Sequence, residues 1–258
     1  MTAVFRTYLD ESSNEPQGGK IFAVGGFVAT AQTWNDLEPL WLQILPPAIS
    51  YFHATDCFGG RGDFRNIDIP ERVSLLDRLT DLITQHDMRM VCAGIDTVAY
   101  QEVAPKPKEN EFLTNKFVAS LELATEILCS CLYTDPPWPV PVNKEQCDFF
   151  IEDSDKFGES GRRTFYRMKR DEYARYREML GTDSWGCKEG NGGIALLQVA
   201  DLAAFLGAKK IANDPNGKIG WQRYFEKLRD AGRVFRLDHI TESGVKVLYQ
   251  LHRDLTQP

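Results

Sequence analysis

The chain has 258 residues, which is enough to bury a sizeable hydrophobic core, and we predict a single domain over residues 1–258. Hydrophobic residues make up 43% and charged residues 26%, as in ordinary globular proteins, and no apolar run approaches the roughly 20 residues that span a bilayer. The net charge of −7 argues against a protein whose entire surface binds nucleic acid, but it does not argue against a local basic strip. No signal-peptide pattern opens the chain, and its six cysteines form neither a CxxC pair nor a zinc cluster, so we expect reduced thiols in a cytoplasmic protein without membrane or disulfide partners.

The first predicted strand ends at two adjacent carboxylates. Apolar and polar residues alternate over residues 5–10, which is the period of a half-buried strand, and the pattern stops at Asp10 and Glu11. A second apolar strand is predicted over residues 21–29. Carboxylates at the rim of a sheet can converge on a ligand, although an Asp-Glu pair can also simply begin a turn. The two residues are therefore candidates for a site.

Helices and strands are predicted to alternate after these two strands. A short helix over residues 34–44, with Thr33 as its candidate N-cap, precedes a strand-like piece over residues 51–56. This piece carries His53, which on its own pattern is best explained as a hydrogen-bonded histidine near the core. Three further elements are predicted: a helix that begins at Pro70, a strand over residues 88–95 and a long helix over residues 111–133.

A third group of carboxylates follows another short apolar strand. Residues 149–151 are Phe, Phe and Ile, and they run directly into Glu152, Asp153 and Asp155. This repeats the arrangement of the first strand, and α/β sheets build their ligand sites at strand ends of this kind. Glu152 and Asp155 therefore join the candidates.

Residues 156–177 form a basic segment in a net-negative chain. Eight Lys and Arg residues are opposed there by three Asp and Glu residues, and three tyrosines are interleaved. Arginine next to aromatic residues is typical of surfaces that contact nucleic-acid backbones, but a solvated helix face with internal ion pairs explains the pattern equally well. The candidates for nucleic-acid contact are Arg162, Arg163, Arg167, Lys169 and Arg170.

A buried helix is predicted over residues 194–208, which are apolar on every side except at Gln198 and Asp201. These two residues are three positions apart and therefore share one face of the helix. A buried aspartate needs a compensating partner, either a Lys or Arg side chain or a metal ion, and the pattern leaves both open. After this helix we predict a C-terminal helical extension over residues 205–258, with two helices in residues 221–255.

Five segments in this order resemble the prokaryotic and phage family called domain of unknown function 3800, which is grouped with ribonuclease H-like folds. The resemblance implies an α/β fold with a ribonuclease H-like mixed β-sheet flanked by α-helices. The sequence departs from the family at Ser13 and Ser154, where glycine is expected, and over residues 135–141, where a proline-rich stretch looks like an insertion. The matching segments are YLDES (8–12), GGFV (25–28), FHA (52–54), IEDSDK (151–156) and LQVADLAA (197–204).

The resemblance also implies a metal site. Ribonuclease H-like nucleases hold two divalent ions with carboxylates from a first strand, a later strand end and a helix. On this basis Asp10, Glu152 and Asp201 are expected to bind Mg²⁺ or Mn²⁺, ions that prefer oxygen ligands. Glu11 and Asp155 are expected to contribute further oxygens.

These expectations together describe a metal-dependent phosphodiesterase of the nuclease type. His53 would position water or move a proton, Gln198 would support the metal ligands from one helical turn away, and residues 156–177 would bind the nucleic acid. Two alternatives stay open. One is a non-catalytic, partner-binding protein that retains the fold, and the other is a metal-dependent hydrolase of a small phosphate ester.

Overall fold

The computed structural model describes residues 5–13, 21–103, 116–134, 147–153, 158–170, 179–188, 193–215, 217–241, 243, 244 and 246. The strands are β1 (Phe5–Ser13), β2 (Ile21–Thr30), β3 (Met88–Asp96), β4 (Cys147–Glu152), β5 (Leu180–Gly186) and β6 (Val234–Ile240). The helices are α1 (Ala31–Ile44), α2 (Ala54–Gly59), α3 (Ile69–Gln85), α4 (Thr97–Val103), α5 (Lys116–Thr134), α6 (Gly158–Arg170), α7 (Leu197–Ile211) and α8 (Trp221–Asp230). A 3-10 turn, Gly62–Asn66, follows α2.

The strands form one mixed sheet in the order β5-β4-β1-β2-β3-β6. Neighbours β1, β2 and β3 are antiparallel, whereas β4 is parallel to β1 and β5, and β6 is parallel to β3. Side chains alternate between the two faces, so Tyr8 packs into the core shared with α1, α3, α7 and α8, and Leu9 packs into the core shared with α5 and α6. This three-layer arrangement confirms the predicted α/β class.

Helix α7 crosses the middle of the sheet, against β1, β2 and β3. Its residues 197–208 are all buried, which confirms the prediction of a buried helix. Small residues allow the close approach, because a Cβ at Gly25 would lie 3.1 Å from the Ala204 Cα, and one at Gly207 would lie 2.5 Å from the Cys92 sulfur. The polar face of α7 is thereby brought close to β1.

Two predicted boundaries near the N-terminus are wrong. Strand β1 does not stop at Asp10 but continues to Ser13, because β2 still pairs with it there. The N-cap of α1 is Thr30 rather than Thr33, since the Thr33 N–H donates to Thr30 Oγ1 at 3.1 Å. The strand predicted over residues 21–29 is confirmed by β2.

The C-terminal region differs most from its prediction. Helix α8 is the first of the two predicted helices, but part of the second is wrong, because Val234–Ile240 is the strand β6. Gly232, with φ of +69°, lies where the chain leaves α8 and turns towards the sheet. Pairing with β3 outweighs the local pattern, so residues 205–258 are not purely a helical extension.

The cysteines and the helices show whether the described chain has disulfide bonds or membrane-spanning segments. All six cysteines are free, and five of them are buried. Burial raises the pKa of the Cys57 and Cys92 thiols to about 12, so these thiols are protonated near neutral pH. Within the ranges that the structure describes, no helix has the length and apolar character that a membrane crossing requires.

Candidate functional site

The carboxylates of Asp10 and Glu152 come from neighbouring parallel strands. In the register of the β1–β4 pairing, both residues directly follow the last paired positions. Two residues earlier in each strand, Tyr8 and Phe150 stack with ring centroids 4.6 Å apart on the α7 side of the sheet. Because side chains alternate along a strand, Asp10 and Glu152 also lie on the α7 side. The two carboxylates therefore meet at one end of the β1–β4 pair.

Three carboxylates provide a set of oxygens suited to a metal ion. Asp10, Glu11 and Glu152 each offer one oxygen, and these oxygens lie within 4.8 Å of one another. Asp10 Oδ1 also accepts a hydrogen bond from the Glu11 N–H at 2.7 Å, which orients this carboxylate. Mg²⁺ and Mn²⁺ take ligands of this type, so the donor set fits the predicted ions.

A lysine reaches the same cluster from the chain beyond β5. Lys188 Nζ lies 2.6 Å from Asp10 Oδ2, 3.0 Å from Asp201 Oδ1 and 3.2 Å from Glu152 Oε1. The lysine side chain is only 6% exposed. Since an ammonium group has three N–H donors, each can face one carboxylate, and these come from β1, α7 and β4.

Burial and charge act on the pKa values of this cluster in different directions. Burial raises the pKa of the Asp10 carboxyl well above its usual value; Lys188 opposes this effect, and Glu152 and Asp201 add to it. Burial lowers the pKa of Lys188, but the three carboxylates outweigh it and hold that pKa above its usual value. Lys188 is therefore charged. Three carboxylates share its single positive charge, and the remaining negative charge favours binding of a proton or a cation.

Asp201 is compensated by donors from two directions. Its Oδ1 accepts the hydrogen bond from Lys188 Nζ, and its Oδ2 accepts one from the Ala54 N–H at 2.5 Å. Of the two partners that the sequence left open, the structure shows the lysine. Within the described part of the chain, the group of carboxylates whose oxygens could together hold a metal ion does not include Asp201.

Gln198 ties three segments together from the same face of α7. Its Oε1 accepts hydrogen bonds from the Phe52 N–H at 2.9 Å and from Trp41 Nε1 at 3.2 Å. Its Nε2 donates to the Lys188 carbonyl at 3.3 Å. Gln198 therefore fixes the backbone of the lysine that enters the cluster.

His53 lies beside the cluster, but the strand predicted around it is wrong. His53 is the N-cap residue of α2, because the helix begins at Ala54. The Ala54 N–H, the first of the helix, donates a hydrogen bond to Asp201 Oδ2. His53 Nε2 is 3.8 Å from Asp201 Oδ1, and Nδ1 is 3.1 Å from Asp56 Oδ2. With a side chain that is 34% exposed, the imidazole lies between the buried cluster and the surface.

The basic side chains of α6 are engaged with other groups of the protein. A surface that binds phosphates needs positive charge that is not already neutralised. Three of the five basic side chains of α6 form ion pairs, of which only Arg163–Glu159 lies within the helix, and the structure gives no support to nucleic-acid binding by α6. The contacts of the α6 side chains are Arg162 with Asp153, Arg163 with Glu159, Arg167 with Glu122, Lys169 with the Gly181 carbonyl, and Arg170 over the ring of Tyr166.

Residues 154–157 and 171–178, and with them the predicted ligand Asp155, lie outside the described residues.

Sequence reasoning did not single out Lys188. It is one of 30 Lys and Arg residues and lies in a short segment between glycines, where no periodicity marks it. Its position follows from the parallel pairing of β4 and β5, which leaves the chain two residues past the end of β5 beside Glu152. The one available signal was the buried aspartate on α7, which called for a cation without indicating which one.

Comparison with protein-family models, with curated proteins and with solved structures finds no match to this chain. The resemblance to domain of unknown function 3800 therefore stays a prediction. The geometry of Asp10, Glu11, Glu152 and Lys188 is the basis for a functional proposal.

Proposed function

We propose that the chain is a divalent-metal-dependent hydrolase of phosphodiester bonds, of the nuclease type. The main support is the convergence of Asp10, Glu11 and Glu152, whose oxygens lie within 4.8 Å of one another. Mg²⁺ or Mn²⁺ bound to them would activate a water molecule and stabilise the departing oxygen. A mixed sheet with helices on both faces and carboxylates at one end is compatible with the ribonuclease H-like fold that the sequence resemblance implies.

The side chains around the cluster have distinct parts in this proposal. Asp10 and Glu152 bind the ion from adjacent strands, and Glu11 completes the set. His53, partly exposed and next to Asp201, takes up or releases a proton at the edge of the cluster. Asp201 holds Lys188 and the start of α2 in place, which keeps the carboxylates at a fixed separation.

A second candidate function is hydrolysis of a small phosphate ester by the same site. The observation that favours it is the ion pairing along α6, which engages three of the five basic side chains on this helix that were expected to contact a long nucleic acid. The two candidates share the metal site and differ in the size of the substrate. They can therefore be separated by one set of assays.

The test is hydrolysis of labelled single-stranded DNA, single-stranded RNA and bis(p-nitrophenyl) phosphate in Mg²⁺ or Mn²⁺, with chelator as the blank. We expect metal-dependent cleavage that falls by about 100-fold or more in Asp10→Asn, because an amide is a poor replacement for a carboxylate ligand. The matched control is Asp230→Asn, which alters an exposed carboxylate on α8. Cleavage of the small diester alone supports the second candidate. The proposal is contradicted if the wild type cleaves none of the substrates, or if Asp10→Asn keeps full activity while folded.

A further inference from the structure

We infer that Lys188 is a built-in replacement for the second divalent ion of this site, so that the wild-type chain binds one ion rather than two. The inference rests on the proposed function, because it assigns the cation content of the same cluster. In a two-ion phosphodiesterase site, the ions lie roughly 3.5–4 Å apart and stabilise the attacking and the leaving oxygens. Here one of these positive charges would be supplied by the protein.

The ammonium occupies the position that a second ion would need. Lys188 Nζ is surrounded by Asp10 Oδ2, Asp201 Oδ1 and Glu152 Oε1 at 2.6 to 3.2 Å. Asp10 and Glu152 also belong to the three-carboxylate donor set with Glu11. In the inferred arrangement these two carboxylates serve two cation positions, of which the lysine fills one. A divalent ion placed among the same three oxygens would be in contact with a buried positive charge.

Both the lysine and its partner Asp201 are held in this arrangement. The Lys188 carbonyl accepts a hydrogen bond from Gln198 Nε2, and the preceding carbonyl, of Cys187, accepts one from the Ile194 N–H at 2.8 Å. Asp201 Oδ2 accepts the Ala54 N–H while Oδ1 faces the lysine. Each Asp201 oxygen thus already has a donor. Asp201 serves as the counter-ion of Lys188 and leaves metal binding to the other carboxylates.

Substitution of the lysine should reopen the second position. Lys188→Met keeps a long side chain but removes the charge, so Asp10, Glu152 and Asp201 would then face one another without a cation. A matched control is Lys227→Met, because Lys227 Nζ pairs with Asp81 at 2.6 Å on the surface, away from the cluster. Both variants lose one ion-paired lysine, but only one of them loses a charge from the site.

Bound Mn²⁺ is counted by titrating the full chain and measuring free Mn²⁺ by electron paramagnetic resonance. We expect one ion per chain in the wild type and in Lys227→Met, and two in Lys188→Met. Two ions in the wild type, or one in Lys188→Met, would overturn the inference while leaving the proposed metal function intact. A wild type that binds no Mn²⁺ contradicts the proposed function itself, and the inference with it.

A second measurement covers the case in which Lys188→Met folds poorly without metal. Thermal unfolding of the wild type, Lys188→Met and Lys188→Gln is recorded in chelator and in excess Mn²⁺. A ligand that binds only the folded chain raises its stability, and two bound ions raise it more than one. We expect a larger increase in Tm from Mn²⁺ in both variants than in the wild type. Equal or smaller increases would overturn the inference.

Discussion

At the scale of single residues, Gln198 is an uncharged side chain that connects three other segments of the chain to α7. Its one amide accepts from the backbone after α1, accepts from a tryptophan of α1 and donates to the segment that carries the lysine. Buried hydrogen-bonding groups are costly when they lose their partner, whereas the net gain from each bond is small. The stability of the segments around Gln198 should therefore depend strongly on its acceptor atom, Oε1.

We predict that Gln198→Leu lowers the free energy of unfolding by about 2–4 kcal/mol, because two buried donors lose their acceptor at about 1–3 kcal/mol each. These donors are Trp41 Nε1 and the Phe52 N–H. Urea denaturation with a fluorescence readout measures the change. The control is Gln43→Leu, at an exposed position of α1, which should change the stability by less than about 0.5 kcal/mol. Similar effects of both substitutions would show that the hydrogen bonds of Gln198 are not important for stability.

At the scale of elements, the position of α7 depends on small residues rather than on specific side-chain shapes. Gly207 faces β3, where a Cβ would lie 2.5 Å from the Cys92 sulfur and 2.7 Å from its Cβ. Alanine would favour the helix by about 1 kcal/mol relative to glycine through its lower backbone entropy. Overpacking a dense core costs about 1–3 kcal/mol, and here the contact is with a buried strand that cannot move away easily.

We therefore predict that Gly207→Ala is destabilising, by about 1–2 kcal/mol, despite its better helix propensity. Thermal or urea unfolding measures this directly. Gly217→Ala is the matched control, because a Cβ there would meet nothing within 4 Å, and it should have little effect. A Gly207→Ala chain that is as stable as the wild type would show that α7 can shift away from the sheet at no cost.

The elements also show which parts of the structure a sequence can reveal. The buried helix was predictable because its residues are apolar on every side, which is a local property. The convergence of Asp10 and Glu152 was expected because in the sequence each follows an apolar strand pattern, although β1 in fact continues past Asp10 to Ser13. The strand β6 was missed because it exists through pairing with β3, which is distant in sequence. Lys188 was missed for the same reason, since its place depends on the β4–β5 pairing.

At the scale of the whole molecule, the charged cluster joins the sheet to one of its helical layers. Asp10 and Glu152 belong to the sheet, Asp201 belongs to α7, and Lys188 stands between them. The charge state of the cluster therefore affects the global free energy of unfolding, not only a local contact. Without a divalent ion, a bound proton reduces the excess negative charge of the cluster. Asp10 is the carboxyl that binds this proton, because burial raises its pKa well above the usual value.

This arrangement predicts a pH dependence of stability that is specific to Asp10. Its pKa in the folded chain is raised well above the usual 3.8, so above about pH 4 the folded chain retains a proton that the unfolded chain releases. The stability linked to this carboxyl is therefore present below about pH 4 and is lost as the pH rises through the folded-state value. In chelator, the free energy of unfolding of the wild type relative to Asp10→Asn should fall with increasing pH, with a slope of up to about one proton per molecule.

Denaturant titrations of the wild type and Asp10→Asn from pH 4 to pH 9 measure this difference in the free energy of unfolding, in which the contributions of the other titrating groups largely cancel. A difference that rises with pH would mean that Asp10 is ionised in the folded chain, with Lys188 outweighing the effect of burial.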